Sequence, residues 1–360
     1  MADDSVPDQI ARFCAPPAAL VGGSRCVDTV LTDATGAAIY VSSLVIDDDA
    51  STAYALVSSH PYFYLFHTIL RAVAATPMLP EMALRAFLAE TPSSAAEFLD
   101  ASIGPIPQPA SFLASQVDFG VLFQALSVNH ILLVVLYVLS ERHVIVCSSN
   151  PSLLTPICET LRALLSPFSS QAVYIPVLPH SLLDFLHAPV PYLMGVVTSE
   201  STDATLRGLD VVVVNVDVDA IAVPRGRHAS LPTVPRKHLQ HMASSVHTIA
   251  NHHGLPLRKA TSPDDWREAL LRYGQADVPR SIERSDAAWS ELRAAFTAFH
   301  LSLIQGYEAY CQPATAKDDR ARFDAAGYLE AFPDKRGFAA HFFCTQAFAA
   351  FLSCTAGSEP

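Results

Sequence analysis

The sequence predicts an α/β chain, α+β overall: a small β-rich N-terminal lobe, then a larger C-terminal lobe in which a three-layer sheet leads into an all-helical extension. Three observations carry this. Two β-rich runs flank Asp33-Ala34-Thr35-Gly36, strands and helices alternate between residues 116 and 223, and every periodic segment after Pro235 has helical spacing. Alternating strands and helices build a sheet covered on both faces, whose strands read as continuous apolar runs.

In the first lobe, set at residues 1–103, residues 1–10 read as a loose start. "CVDTVLTD" and "AAIYVSSLVI" form a hairpin around the turn, and "DDDAST" is a polar loop. Ala53 to Ser58 can form a strand, and beyond Pro61 the spacing of Phe63, Phe66, Leu70 and Val73 is helical. Residues 80–90 and 94–100 read as short helices. The three prolines of "GPIPQPASF" mark a linker, placed at 104–115.

The central region, 116–223, opens on "SVNHILLVVLYVLSE", a helix apolar nearly all round and therefore buried, with Ser127 as its N-cap. "HVIVCSS" is a strand. "SLLTPICETLRALLSPF" is a helix that tolerates Pro156 in its first turn. In "YIPVLPHSLLDFLHAPVPYLMGV", Pro176 and Pro179 end a strand, "HSLLDFLHA" is a short helix, and Pro189 and Pro191 stop it and send the chain into a further strand. The valines Val211 to Val214 begin the most continuous strand, "LDVVVVNVDVD". In the last region, 224–360, "HLQHMASSVHTIANHHG", "DDWREALLRYG", "AAWSELRAAFTAFHLSLIQGYEAYC", "FDAAGYLEAFP" and "FAAHFFCTQAFAAFLS" are all helical in pattern.

Bulk properties narrow the function. Twenty-three basic against 35 acidic residues leave a formal charge of −12, which argues against nucleic acid held through a phosphate field. The seven cysteines are scattered, with no CxxC pair, as reduced thiols of a cytoplasmic protein would be. "MADDSVPDQI" is acidic and polar, unlike a signal peptide. The aliphatic run Ile131–Leu139 is shorter than the roughly 20 residues a membrane-spanning helix needs.

No catalytic constellation emerges. Asp217 and Asp219 of "NVDVDA" resemble a metal-holding Asp-x-Asp, and strand alternation would put both carboxylates on one face; no third ligand or glycine-rich loop stands nearby. His238, His241, His247, His252 and His253 share one helix, and no Glu or Cys stands at a standard distance to complete a metal site, so a solvated face is the simpler reading. Cys147, beside Ser148 and Ser149, ends a strand as a nucleophile would, but no base accompanies it, and a buried thiol is the simpler reading. The phosphate-loop, dinucleotide and Gly-x-Ser-x-Gly patterns are absent. A good fold without such chemistry points to a protein that acts by binding another macromolecule.

One resemblance gives that partner a class. "ALSV", "ERHVIVCSS", "SLLTP", "LLSPF", "YIPVLP", "LLDFLHAPVPYLMGV" and the valine strand, in this order, resemble the central part of DENN domains. "FCAPP…TVLTDATGAAIYVSSLVI" and "LVSSHPYFYLFHTILRAV" resemble the upstream element; "FHLSLIQGYEAYC…FDAAGYLEAFPDKRGFAAHFFCTQAFAAFL" resembles the downstream one. The resemblance implies a longin-like N-terminal lobe, whose first strand "VPDQIARF" would have to supply, and a C-terminal lobe. It implies a guanine-nucleotide exchange factor for a Rab-family small GTPase gripped across both lobes, acting in membrane trafficking with no bond chemistry, no cofactor and no metal of its own. The alternatives are a DENN scaffold that binds a GTPase or another DENN protein without exchange, and a metal-dependent transferase using Asp217 and Asp219. Candidate GTPase contacts, taken as polar residues at element ends, are Ser127, Asn129, His130, Asp184 and Asp210. Asn129-His130 stand where the family often shows Glu-Asn. The implied location is cytoplasmic, with peripheral recruitment to vesicle or organelle membranes.

Overall fold

In the computed structural model the described residues are 13–14, 24–32, 37–46, 53–58, 61–75, 117–223, 233–258, 263–275, 286–312 and 322–356. The expected hairpin turn, the loop after it, the helices at 80–90 and 94–100, the linker and the "VPDQIARF" strand lie outside them.

The N-terminal lobe is a meander of β1 (Arg25–Thr32), β2 (Ala38–Val45) and β3 (Ala53–Ser58), followed by α1 (Phe63–Ala75). Both strand pairs are antiparallel, with Thr32 opposite Ala38 at the hairpin end. Cys26, Leu44, Leu56 and Leu70 form its core, so the helical spacing after Pro61 does face the sheet. Beneath that core lies a buried polar group: His67 Nε2 approaches Asp28 Oδ1 at 2.6 Å, and the Ser42 hydroxyl donates to the same oxygen at 2.7 Å.

The second sheet has the order β5-β6-β4-β7-β8, from β4 (Val144–Ser148), β5 (Val173–Leu178), β6 (Tyr192–Val197), β7 (Val212–Asn215) and β8 (Ala220–Ala222). The first four strands run parallel and β8 returns antiparallel. Alternation splits each strand between two cores. Val144, Val146, Leu193, Val212 and Val214 join the larger one, with α2 (Gly120–Ala125), α3 (Val128–Leu139) and α4 (Leu154–Ala163). Ile145, Tyr192, Met194, Val196 and Val211 join the smaller one, under the 3-10 segment His180–His187 and α5 (Glu200–Leu206). This double burial explains the unbroken valines.

Two expectations for the middle stretch change. Pro176 lies inside β5, where the register to β6 shifts between Ile175 and Leu178; β5 is the sheet's edge, where a missing N–H is tolerated. The valine strand is shorter than expected: β7 ends at Asn215 and residues 216–219 turn.

The C-terminal region packs α6 (Arg236–His253), α7 (Pro263–Arg272), α8 (Asp286–Leu303), α9 (Ala325–Ala331), α10 (Arg336–Phe342) and α11 (Gln346–Ala356) onto the larger core. It is not wholly helical. Instead of running on to Cys311, α8 stops at Leu303; Gly306 takes φ 90°, and β9 (Cys311–Gln312) pairs with β10 (Arg322–Phe323). The last apolar run is two helices rather than one. Thr345 divides them, its Oγ1 accepting from Phe348 N at 3.2 Å as an N-cap does. Phe338, Phe342 and Phe348 belong to the larger core, with Phe343 and Phe351 packed against it.

Candidate functional site

The parallel strands all end at one edge of the sheet, and that edge gathers the polar residues of the central region. Asp219 lies in the turn after β7 with φ 51°, a left-handed conformation that aspartate adopts more readily than most residues. Its Oδ1 accepts from Ser127 N at 3.0 Å, from Ser127 Oγ at 3.3 Å and from His130 Nδ1 at 2.7 Å. Its Oδ2 lies 3.9 Å from Arg258 Nε. Arg258 is itself anchored, its Nη1 donating to Ala125 O at 2.7 Å and its N–H to Phe123 O at 2.8 Å. Ser127 is the N-cap of α3 by backbone but makes no side-chain cap. The Asp219 carboxylate instead holds the N-cap residue itself, by its N–H and hydroxyl, beside the helix end where the dipole favours negative charge.

Asp217 closes the neighbouring strand end. Its Oδ1 accepts from Ser148 Oγ at 2.6 Å, and its Oδ2 accepts from Ser149 N at 2.7 Å. The two carboxylates therefore do not share a face: the strand has ended, and each is spent on a different element. Burial, with Asp217 and Asp203 nearby, pushes the Cys147 thiol up to about 12, so Cys147 is a protonated, buried thiol at neutral pH.

From Ser148 the row continues to the first lobe. Asn150 Oδ1 accepts from Arg25 Nη1 at 2.7 Å and from Ser152 N at 3.1 Å, and its Nδ2 donates to Leu270 O at 2.7 Å and Tyr273 O at 2.9 Å. Arg25 also donates to Leu271 O and Tyr273 O, each at 3.1 Å. Ser152 Oγ donates to Cys26 O at 2.6 Å, and Thr155 Oγ1 donates to Asp28 O. Arg71 of α1 reaches Gln275 O at 3.3 Å. Beside this joint, Tyr174 donates to Glu159 Oε1 at 2.7 Å while the Arg162 guanidinium lies 4.1 Å over its ring. Burial, then the Glu159 charge, holds the Tyr174 phenol well above its usual range.

The five expected contact residues do not form one cluster. Ser127, Asn129 and His130 lie together on the edge that leads to the lobe joint; Ser127 and His130 are half-buried and Asn129 is exposed. Asp210 is exposed just ahead of β7, at the opposite edge. Asp184 is exposed on the 3-10 segment beside Phe185, which is 48% exposed. Sequence reasoning missed Arg258 and Val218. The latter is 54% exposed between the two aspartates, as outlying a hydrophobic as the fold presents among the described residues.

Comparison with known proteins finds a family likeness. The family model of the DENN (AEX-3) domain matches residues 49–219, ending at the aspartate that bonds Ser127 and His130. DENN domain-containing protein 1B of Mus musculus is 42% identical over 112 residues, 31% of this chain and 15% of that protein. DENN domain-containing protein 2A of Mus musculus is 40% identical over 92 residues, 26% of this chain and 9% of that protein. Human DENN domain-containing protein 1B is 39% identical over 112 residues, 31% of this chain and 14% of that protein. The matched stretch thus spans at most 15% of these curated relatives' own length. The domain match lies over the strands and helices that build the edge, so residues 49–219 of this chain are similar to a DENN domain.

Proposed function

We propose that this chain is a guanine-nucleotide exchange factor that binds a Rab-family small GTPase across its two lobes and promotes release of GDP. The observation that carries the reading is the DENN match laid over a polar sheet edge tied to the N-terminal lobe. An exchange factor performs no bond chemistry. It prefers the nucleotide-free GTPase to the nucleotide-bound one, and only that difference in affinity can shift the equilibrium. Such a preference benefits from a surface that does not rearrange on binding. The Arg25–Asn150 joint and the Asp219–His130 contact favour a platform of this kind. Asn129, His130 and Val218 are the residues of that edge we assign to the GTPase. Ser127 positions the edge through Asp219.

The test is release of fluorescent GDP across a panel of purified Rab GTPases. One or more should be accelerated at least tenfold. Asn129→Arg and Val218→Asp, both at exposed positions, should each reduce that acceleration at least tenfold without moving the melting temperature. Stable complex formation without release from any GTPase would replace this reading with that of a non-exchanging scaffold.

A further inference from the structure

The helical extension carries a second group of donor side chains, on α6 and α8. α6 ends at His253, and Gly254, with φ 65°, closes the helix in the left-handed conformation. His252 and His253 therefore share its last turn, their ring centroids 4.5 Å apart and their planes at 67°. From α8, Glu291 reaches the pair, its Oε1 3.1 Å from His253 Nε2. That approach is not aligned for a hydrogen bond, and the buried Nε2 has no other partner among the described residues. One ligand atom from each of His252, His253 and Glu291 lies within 4.8 Å of the other two.

This donor set has a chemical preference. In a tetrahedral zinc site with bonds of about 2.0–2.2 Å, ligand atoms stand about 3.4 Å apart. The three atoms, within 4.8 Å of one another, must draw closer to reach that spacing. Two imidazoles with one carboxylate suit zinc and neighbouring transition metals; calcium and magnesium want oxygen ligands. The carbonyl end of a helix also favours positive charge. His238 and His241 do not belong to the group: His238 Nδ1 lies 3.3 Å from Ser302 Oγ, and His241 is exposed further back along the helix.

We propose that His252, His253 and Glu291 bind one divalent transition-metal ion of the zinc class, with water completing the coordination, and that the ion clips the end of α6 to α8. The donor set shares no residue with those assigned to the GTPase, so the site stands or falls independently of that reading.

Titration of the full chain with zinc chloride in a calorimeter tests the site. One equivalent should bind at this site, and the melting temperature should rise by about 3 °C when zinc is in excess. His252→Gln, His253→Gln and Glu291→Gln should each weaken that binding at least tenfold and abolish the thermal shift. His241→Gln should leave both unchanged, and magnesium chloride should give neither. Cobalt(II) in place of zinc should show the visible absorption of a four-coordinate ion, lost in Glu291→Gln. His252 and Glu291 are exposed, so their variants decide the matter even if His253→Gln folds poorly. Zinc binding that persists in those two variants, or no binding by the unaltered chain, would overturn the proposal.

Discussion

Arg25 donates to Asn150 across the joint between the lobes at 2.7 Å, and both residues are buried. Asn150 uses its acceptor on Arg25 and Ser152 and its amide donors on the carbonyls of Leu270 and Tyr273. One side chain thus joins β1, the start of the segment into α4 and the end of α7. Removing it takes one acceptor from the buried Arg25, which keeps the Leu271 and Tyr273 carbonyls, and one donor each from the carbonyls of Leu270 and Tyr273, so several buried polar groups are left less well satisfied. Asn150→Ala should therefore lower stability by about 3 kcal/mol, measured as a shift of the urea midpoint. Asn150→Asp keeps the acceptor, loses both donors and turns a negative charge toward carbonyl oxygens, so it should not rescue. A double-mutant cycle with Arg25→Met should show a coupling of about 1–3 kcal/mol; additive effects would mean the joint is held elsewhere.

Asp219 should be sensitive to substitution in two separable ways. Asp219→Asn preserves tolerance of the left-handed backbone and one acceptor oxygen, but removes the charge facing His130 and the N-terminus of α3. A loss of about 1 kcal/mol is expected. Asp219→Val removes the acceptor and places a β-branched residue at φ 51°, so about 3 kcal/mol is expected. If Asp219 were instead a metal ligand, both variants would abolish metal binding with little effect on stability. Chemical denaturation of the two variants, with and without added metal, distinguishes these outcomes.

Much of the fold is legible because it rests on local period. Strand alternation around Val144–Val146 and helical spacing from Phe63 to Leu70 set which face is buried, and the structure follows them. Element ends are less legible. Nothing in "VVVVNVDVDA" says that pairing stops at Asn215, because it stops opposite Cys147, near the end of β4, and that limit is set by the neighbouring strand. The edge site was half legible for the same reason. Ser127 and His130 stand out as polar residues opening an apolar helix, and Asp219 as one of a carboxylate pair, yet nothing local says that they bond each other. Arg258 and the Glu291–His253 approach are wholly tertiary, since each joins residues from separate helices or loops.

Gly195 should tolerate no side chain. It lies in the middle of β6 where β5 shifts register, and a Cβ there would stand 1.8 Å from the Pro176 carbonyl oxygen and 3.2 Å from Leu154 Cβ. Backbone is the obstacle, so no rotamer change relieves it, and β5 would have to leave the sheet edge. Gly195→Ala should cost about 3 kcal/mol or more, whereas Gly208→Ala, whose Cβ would meet only the Thr205 carbonyl oxygen at 3.6 Å, should be near neutral. Thermal melts of the two variants side by side check this, and equal melting temperatures would refute it.

His300 should give the fold a measurable acid sensitivity. It is fully buried in α8 among Phe168, Phe296 and Phe299, and its Nδ1 donates to Ser166 O at 2.9 Å. Burial lowers its pKa from 6.5 to about 4, against the smaller opposing effect of that hydrogen bond. In the unfolded chain the imidazole takes up a proton near pH 6.5; in the folded chain it does so only near 4. Between those values the unfolded state holds more protons, so stability rises with pH across the window and falls as the solution is acidified through it. Below about 4 both states are protonated and the effect levels off. The full contribution is about 3 kcal/mol. His300→Gln keeps a donor for Ser166 but does not titrate. Urea midpoints taken at intervals between pH 4 and 7.5 should therefore fall more steeply for the unaltered chain than for the variant, with the difference confined to the region below pH 6.5. Parallel curves would show that His300 is solvated or charged in the folded protein, and with it that α8 does not pack against Phe168 as described.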